Sequence, residues 1–528
     1  MAVQNGYSVN SAPAEESEGA RDTDPLVAFK TVPARCGSAR YTLATMMFFG
    51  FSVVYGLRVN LSVAMVAMVN HTDAEPAPNA TVVTACPLPA GVNSSKPVVL
   101  PDAGPQYPWD AETQGWLLGA FFFGYLFTQI PGGYLAGHYG GSAYLGGGVL
   151  GTAALTLLTP LAARDTSGWW LFTLRALEGF GEGVTFPAMM AMFARWAPPL
   201  ERSTLTAIAS SGASFGAFVA LPLTAYICQT LGWPAVFYIC GSSGCVWAVF
   251  WFILVSDDPR THPRISEEEK NYIINSIGAQ GSGHGWSVPV LRMALSGPLW
   301  AIILCQMCAN WSYYTLLTTM PTYMANVLHF ELSSNAFLSA LPYLGALLFS
   351  VLSGFTADAL IERNTLSTVT VRKLFTITGL LLPAVCLVAV GYAGCSAVPA
   401  VTLLTVSSTL GGTSAAGVFV NQLDIAPRYA GVLLGITNTF GTIPGVLAPI
   451  VTGYLTEDHS LTGWRQVFWV AAGVNALGAL IFTCMASGHI QTWALTEDDW
   501  VEGEGGGGGG GGGEEEAGRR GGPHIKDS

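Results

Sequence analysis

Apolar residues run together along this chain in blocks of about 20 residues, each long enough to cross a hydrocarbon core as a helix. Short polar connections separate them. Blocks centred near Val54, Phe123, Leu150, Val184, Phe215, Val246, Ile303, Leu344, Leu382, Leu410, Thr442 and Val474 predict about twelve spans. An even number puts both ends of the chain on one side. Connections that carry Arg or Lys mark that side as cytosolic: Arg35 and Arg40 before the first span, Arg195 and Arg202 after the fourth, Arg363, Arg372 and Lys373 after the eighth, and Arg428 after the tenth. The opposite connections hold chiefly Lys96 and Arg164.

The long first connection gives an independent check. Sequons at Asn70, Asn79 and Asn93 cluster on the predicted non-cytosolic side and predict glycosylation there. Two more, at Asn60 and Asn310, lie within apolar blocks and are set aside. A polar stretch carrying Arg260, Arg264 and the Glu267 to Lys270 cluster divides six spans from six. The halves echo one another. Gly133 to Gly137 matches Gly354 to Asp358, and Ser214-Phe215-Gly216 matches Thr439-Phe440-Gly441, at offsets of about 220 to 225 residues, as a repeat of six spans gives. The expected organisation is a cytosolic tail over 1–40, a first half over 41–255 with a luminal loop at 68–112, a linker over 256–297, a second half over 298–487, and a cytosolic tail over 488–528. The run Gly505 to Gly513 in that last tail predicts disorder. Glycine pairs spaced GxxxG (Gly179 and Gly183, Gly212 and Gly216, Gly431 and Gly435, Gly441 and Gly445) predict close helix packing.

Composition agrees with a lipid solvent: 51% of the 528 residues are apolar, 11% are charged, and mean hydropathy is +0.44. A water-soluble fold, at about 25% charged residues, needs far more. The net charge of −12 gathers in tail segments such as Glu15 to Glu18 and Glu514 to Glu516, with no basic patch for nucleic acid. The first 40 residues lack the pattern of a cleaved signal peptide, so the first span is expected to act as its own insertion signal. Most of the ten cysteines fall in apolar blocks. Cys305 and Cys308 form a CxxC without a second pair or a nearby histidine, which argues against a metal or redox site. Cys86 and Cys395 fall in non-cytosolic connections, where a disulfide between them can form. No metal-ligand motif and no nucleophile-and-base arrangement stands out, so neither an enzyme nor a cofactor is expected.

A charge at the centre of a span costs about 2.5 to 3.5 kcal/mol on insertion scales, so each one kept there needs a reason. In the fourth span Arg175, Glu178 and Glu182 are three and four residues apart and share one helical face. Two carboxylates beside one guanidinium suit proton coupling, because desolvation and the neighbouring cation act on them in opposite directions. The alternative is a permanent ion pair between helices. Arg58 lies inside the first span with Tyr55 one turn earlier and no carboxylate within a turn. Its planar fork fits a carboxylate, so it is a candidate anion site, unless a residue on another helix, Glu178 for example, neutralises it. In the seventh span Asn310, Trp311, Ser312, Tyr313 and Tyr314 form a polar aromatic run suited to a hydroxylated or amide-bearing ligand. Tyr55, Arg58, Asn310, Tyr313, Tyr314 and Asn421 are the candidate substrate contacts. Asp358, and Asp424 with Arg428 one turn later, sit at cytosolic span ends as candidate gating or hinge ion pairs.

With these residues in place, the chain resembles the major facilitator superfamily, and within it the organic-anion group that includes vesicular glutamate transporters, phosphate-type transporters and the lysosomal sialic acid and proton symporters. The likeness runs from Arg40 to about Leu495 and is carried by Phe51 to Val63 (FSVVYGLRVNLSV), Trp109 to Gly115 (WDAETQG), Thr128 to Tyr134 (TQIPGGY), Arg175 to Pro187 (RALEGFGEGVTFP), Trp196 to Ser203 (WAPPLERS) and Asn421 to Gly435 (NQLDIAPRYAGVLLG). It implies an all-α membrane fold of twelve helices in two pseudo-symmetric six-helix halves. It also places the family's anion-binding arginine on Arg58 and its fourth-span charges on Arg175, Glu178 and Glu182. Leu118 and Ala309 stand where vesicular glutamate transporters have histidine and arginine. Met190 and Gln422 replace histidines usual in the group, and Gly137 and His138 replace the acidic and basic pair usual after the second span.

The resemblance implies a proton-coupled secondary transporter that exports sialic acid and related acidic sugars from lysosomes by alternating access, with protons as the coupling ion and no cofactor. Glucuronate, aspartate and glutamate are further candidate substrates. The rival reading is a voltage-driven carrier of acidic amino acids or other anions in synaptic vesicles or the plasma membrane. A channel or receptor on the same scaffold is a third. In the N-terminal tail Asp22, Leu26 and Val27 resemble an acidic dileucine signal, which predicts a lysosomal address read by sorting adaptors.

Overall fold

The apolar blocks are helices in the computed structural model, which describes residues 37–69, 105–109, 111–165, 167–278, 288–327, 332–456 and 461–495. The sequons at Asn70, Asn79 and Asn93, the tail motif of Asp22, Leu26 and Val27, and Cys86 lie outside these residues. Cys395 is disulfide-bonded, whereas Cys305 and Cys308 are both free.

Among the described residues nine helical segments are long and apolar enough to cross a membrane. They belong to the first span Ala39–Met68, the third Ser142–Ala162, the fifth Arg202–Leu231, the sixth Trp233–Leu254, the eighth Leu332–Glu362, the ninth Thr368–Val390, the tenth beginning at Ala397–Gly411, the eleventh Ala430–Leu455 and the twelfth Leu461–Met485. The second span, Ala111–Tyr139, the fourth, built from Trp169–Glu182 and Thr185–Trp196, and the seventh, Gly297–Asn326, complete the twelve. Large apolar side chains such as Leu348, Leu352 and Phe355 face outward along one side of the eighth span, which a hydrocarbon solvent accepts and water does not.

The two halves repeat one packing scheme. First packs on fifth as seventh packs on eleventh, second on fourth as eighth on tenth, and third on sixth as ninth on twelfth. The glycine pairs explain how closely these helices lie. A Cβ at Gly212 or Gly216 would run into the Phe48 and Ser52 carbonyls of the first span, and one at Gly179 into the Phe121 carbonyl of the second. The second span packs on the eleventh and the fifth on the eighth, which joins the halves.

The fourth member of each half is broken. The fourth span turns at Gly183 and Val184, immediately after Glu182. Pro187 has no N–H to offer the Gly183 carbonyl, which favours the break there. The tenth span leaves α-helical geometry at Gly412–Ala416 and resumes as the short helix Asn421–Ile425. Discontinuous spans at matching places in two repeats point to the working site of a transporter fold. The polar linker holds the helix Glu267–Ile277, whose N-cap Ser266 accepts the Glu269 N–H at 3.2 Å and whose first turn carries three glutamates.

Candidate functional site

The first span carries Arg58, and the broken fourth span brings Glu182 against it. Arg58 donates from Nε and Nη2 to the same Glu182 oxygen, Oε1, at 2.9 and 2.5 Å. The other oxygen, Oε2, is buried with no hydrogen-bond partner. The Arg58 guanidinium lies 4.8, 4.8 and 4.7 Å from the ring centres of Tyr55, Phe121 and Tyr125, an aromatic cage that stabilises a cation out of water.

The second pair is closed on itself. Arg175 Nη1 donates to Glu178 Oε2 at 2.6 Å, and Glu178 Oε1 accepts from Thr156 and Thr159 at 3.2 and 3.5 Å. Arg175 also reaches the first-span backbone, donating to the Leu57 and Arg58 carbonyls at 3.4 and 3.2 Å. It therefore ties the fourth span to the segment that carries Arg58. The sequence places Arg175, Glu178 and Glu182 on one face, as found, but does not say which acid meets which base. Arg58 meets Glu182, and Glu178 belongs to Arg175.

A cavity of about 290 Å³ opens between the halves beside Arg58. Tyr55, Arg58, Asn310, Tyr313 and Tyr314 all line it, as do Tyr125, Phe186, Ala309 and Asn438. Arg58 is the one charged side chain among the lining residues. Asn310 Nδ2 donates to the Gly441 carbonyl at 2.9 Å within the second half, and Asn438 Nδ2 donates to Tyr125 Oη at 3.0 Å across to the first half. Phe121 and Tyr125 are the residues that sequence reasoning missed. Their four-residue spacing was the available signal, but aromatic residues crowd that span and nothing distinguishes these two.

Asn421 is elsewhere. It is buried at the predicted cytosolic end, donating to the Ser487 carbonyl at 2.8 Å and to Asp424 at 3.5 Å, and it does not line the cavity. The expected pairing of Asp424 with Arg428 is also not what forms. Asp424 takes two hydrogen bonds from Arg372, at 2.6 and 3.3 Å, because the ninth span delivers a fully buried guanidinium to it. Arg428 Nε is buried without a hydrogen-bond partner. Arg372 Nη1 continues to Ser203 Oγ at 2.6 Å, and Arg202 Nη1 donates to the Leu423 carbonyl at 3.2 Å. The Asp358 carboxylate accepts the backbone N–H groups of Ser203 and Thr204 at 3.1 and 2.6 Å, capping the fifth span from the eighth. The bonds of Arg372 to Ser203, of Arg202 to Leu423 and of Asp358 to the fifth span join the two halves. Gln422, in a histidine's usual place, donates to Thr437 Oγ1 at 3.0 Å, while Met190 is packed into apolar core.

Residues 47–449 match the model of the Major Facilitator Superfamily. The chain belongs to that superfamily. It is therefore a transporter and not an enzyme. Sialin of Homo sapiens is 51% identical over 466 residues, 88% of this chain and 92% of that protein. Sodium-dependent phosphate transport protein 3 of Mus musculus is 40% identical over 87% of this chain and 95% of its own length, and vesicular glutamate transporter 2 of Homo sapiens is 38% identical over 87% of this chain and 76% of its own. In fold the chain is similar to the superfamily's proton:xylose symporter XylE, with a TM-score of 0.63 at 14% identity over 85% of this chain and 96% of that one. The superfamily's two-half architecture accounts for the repeated pairings and for the cavity between the halves.

Proposed function

We propose that this chain is a proton-coupled symporter that exports sialic acid and related acidic sugars from the lysosome by alternating access. The observation that carries the reading is the Arg58–Glu182 pair at the cavity wall. Among the described residues Arg58 is the one cation that lines the cavity, and Glu182, which does not line it, already pairs with Arg58. A substrate carboxylate binding at Arg58 while Glu182 stays ionised would leave one uncompensated negative charge in a low-dielectric site. A proton on the bare Glu182 Oε2 removes that charge and frees the guanidinium. Anion and proton are then taken up together, which is symport.

The rest of the cavity supports a hydroxylated monoanion. Its walls offer tyrosine, serine and amide groups, with no second cation for a dianion and no carboxylate for an ammonium among the lining residues. Asp358 with Ser203 and Thr204, and Arg372 with Ser203, hold the predicted cytosolic ends together as the gate on that side. In this reading Arg428 is not paired with Asp424 and has no assigned part. The sequence similarity to sialin supports the substrate class and the lysosomal address.

Kinship with a vesicular glutamate transporter favours one rival, voltage-driven transport of acidic amino acids. Reconstituted vesicles decide between them. Accumulation of labelled sialic acid driven by an acidic compartment supports the proposal, and accumulation of glutamate driven by voltage alone, with no response to a pH gradient, overturns it.

A further inference from the structure

The cavity does not end at the tyrosines around Arg58. It continues into a lobe inside the second half, lined by Ser350, Gly379, Ser407, Ser408, Gly411 and Ser414 of the eighth, ninth and tenth spans. Two interruptions of regular helix form this lobe. Pro383 sits inside the ninth span and has no N–H, so the Gly379 carbonyl one turn earlier loses its helical donor. The tenth span changes to 3-10 geometry at Gly412–Ala416, where the Gly412 N–H reaches the Ser408, Thr409 and Leu410 carbonyls and the Thr413 hydroxyl also donates to Leu410, so these carbonyls bend off the helical ladder and keep a second lone pair for another donor. At membrane depth such backbone persists where it is buried in protein or lines a wet cavity.

The hydroxyl groups add to this supply of acceptors. Ser407 Oγ donates to the Pro383 carbonyl at 3.2 Å and Ser414 Oγ to the Gly411 carbonyl at 2.8 Å, which leaves the lone pairs of each hydroxyl for another donor. Among the described residues no charged side chain lines the lobe. The lobe also has room. A Cβ at Gly411 would meet no heavy atom within 4 Å, whereas one at the next residue, Gly412, would lie 2.5 Å from the Ala346 carbonyl.

We propose that this lobe is a second subsite, which takes the uncharged polyhydroxylated part of a substrate whose carboxylate is held at Arg58. The inference rests on the anion reading given above and adds to it the place where the rest of the molecule is recognised. Hydroxyl groups both donate and accept, so they match a wall of carbonyl acceptors interspersed with serines. An ammonium or a second carboxylate placed there would be a desolvated charge with no counter-ion. A wall built for hydroxyl groups discriminates strongly against a ligand that lacks them, because its own polar groups are then left unpaired.

Gly411→Leu fills the lobe from a position whose Cβ direction is open, and Ser408→Ala removes one hydroxyl without adding volume. Each is reconstituted with the full chain, and KM is measured for sialic acid and for a shortened analogue in which a hydroxymethyl replaces the glycerol side chain, made by trimming a protected glycoside with periodate and borohydride and then freeing the acid. In Gly411→Leu the KM for intact sialic acid should rise about tenfold or more and that for the shortened acid should stay within about twofold of wild type, so that the preference for the intact acid disappears. In Ser408→Ala the rise for the intact acid should be about threefold to tenfold, the worth of one neutral hydrogen bond. If either reconstituted variant keeps the wild-type preference, or loses both acids in equal measure, the lobe is not a polyol subsite. If the wild type carries neither acid, the sugar-acid reading falls and the subsite falls with it. If Gly411→Leu does not reach the vesicles, Ser408→Ala decides the matter alone.

Discussion

Arg58 directs two of its donors to one oxygen of Glu182, at 2.9 and 2.5 Å, and leaves the other oxygen buried without a partner. A bidentate pair would have used both oxygens and satisfied the site. In the proposed symport this lopsided geometry keeps a proton acceptor beside the cation assigned to the substrate carboxylate. Glu178, by contrast, has both oxygens bonded, to Arg175 and to two threonines.

Arg58→Lys tests the anion site. An ammonium on a flexible stem keeps the charge but loses the planar fork and much of the stacking within Tyr55, Phe121 and Tyr125. The variant should fold and reach the membrane, and sialic acid uptake should fall by about tenfold or more. Uptake at the wild-type rate, measured at equal surface expression, would remove Arg58 from the substrate site.

Asp358→Asn tests the gate. The carboxylate caps the fifth span at Ser203 and Thr204 from across the interface, and the amide keeps its shape while losing its charge and one acceptor. Loss of about 1 kcal/mol, the usual worth of a cap, shifts the balance several-fold towards the state open at this end. The measurement is the labelling rate of a cysteine placed at Ala207, a buried residue that packs under Gly354, in a background without the other free cysteines. It should increase several-fold from the cytosolic side, and an unchanged rate would mean that Asp358 does not hold the gate.

The linker helix has its own titratable clasp. Glu269 accepts the Ala39 and Arg40 N–H groups at 3.0 and 3.2 Å, pairs with the Arg40 guanidinium at 2.9 Å and accepts from Ser38 Oγ. Burial alone would raise its carboxyl, but these hydrogen bonds and the Arg40 charge outweigh it and hold the group below its ordinary value. A carboxyl depressed on folding adds stability above its unfolded value and loses it as pH falls through the folded one. The clasp should therefore hold at neutral pH and open only below the usual glutamate range. Glu269→Gln should open it at neutral pH, at a cost of about 2 kcal/mol for the charged hydrogen bonds, seen as faster tryptic cleavage at Lys270. Cleavage unchanged at neutral pH would show that the clasp does not anchor the linker.

Much of this molecule was legible in the order of its residues. Block lengths gave the spans, the spacing of Gly133 and Gly354 gave the repeat, and membrane cost singled out Arg58 and the fourth-span acids. Pairing was not legible, because a span that runs past several others offers no one-dimensional clue to which neighbour it meets. Asp424 was expected to use Arg428, its neighbour in sequence, but packing brings Arg372 from 52 positions away. Asn421, polar and inside a motif, turned out to brace the end of the twelfth span. The break after Glu182 was written in Gly183 and Pro187, yet proline occurs within other spans that stay helical, such as Pro222 of the fifth, so it carried little weight alone.

The two fourth-span acids should therefore behave differently when neutralised. Replacing glutamate by glutamine imitates the protonated acid in shape and charge. In Glu182→Gln the amide cannot lose a proton, so Arg58 is released permanently and the substrate anion no longer has to arrive with one. Counterflow of labelled sialic acid at equal pH on both sides should persist within about threefold of wild type, and accumulation driven by a pH gradient should vanish. Glu178→Gln instead leaves Arg175 without its counter-charge in a fully buried site, a change that costs about 3 to 5 kcal/mol when a buried pair is broken. That loss falls on the helix packing that positions Arg58, because Arg175 also holds the Leu57 and Arg58 carbonyls. The expected result is lower stability and a parallel fall in counterflow and in gradient-driven uptake. Both assays in proteoliposomes, with thermal stability measured on the purified variants, separate the cases. If Glu182→Gln still accumulates sialic acid against its gradient, Glu182 is not the proton carrier, and its contact with Arg58 is a structural ion pair.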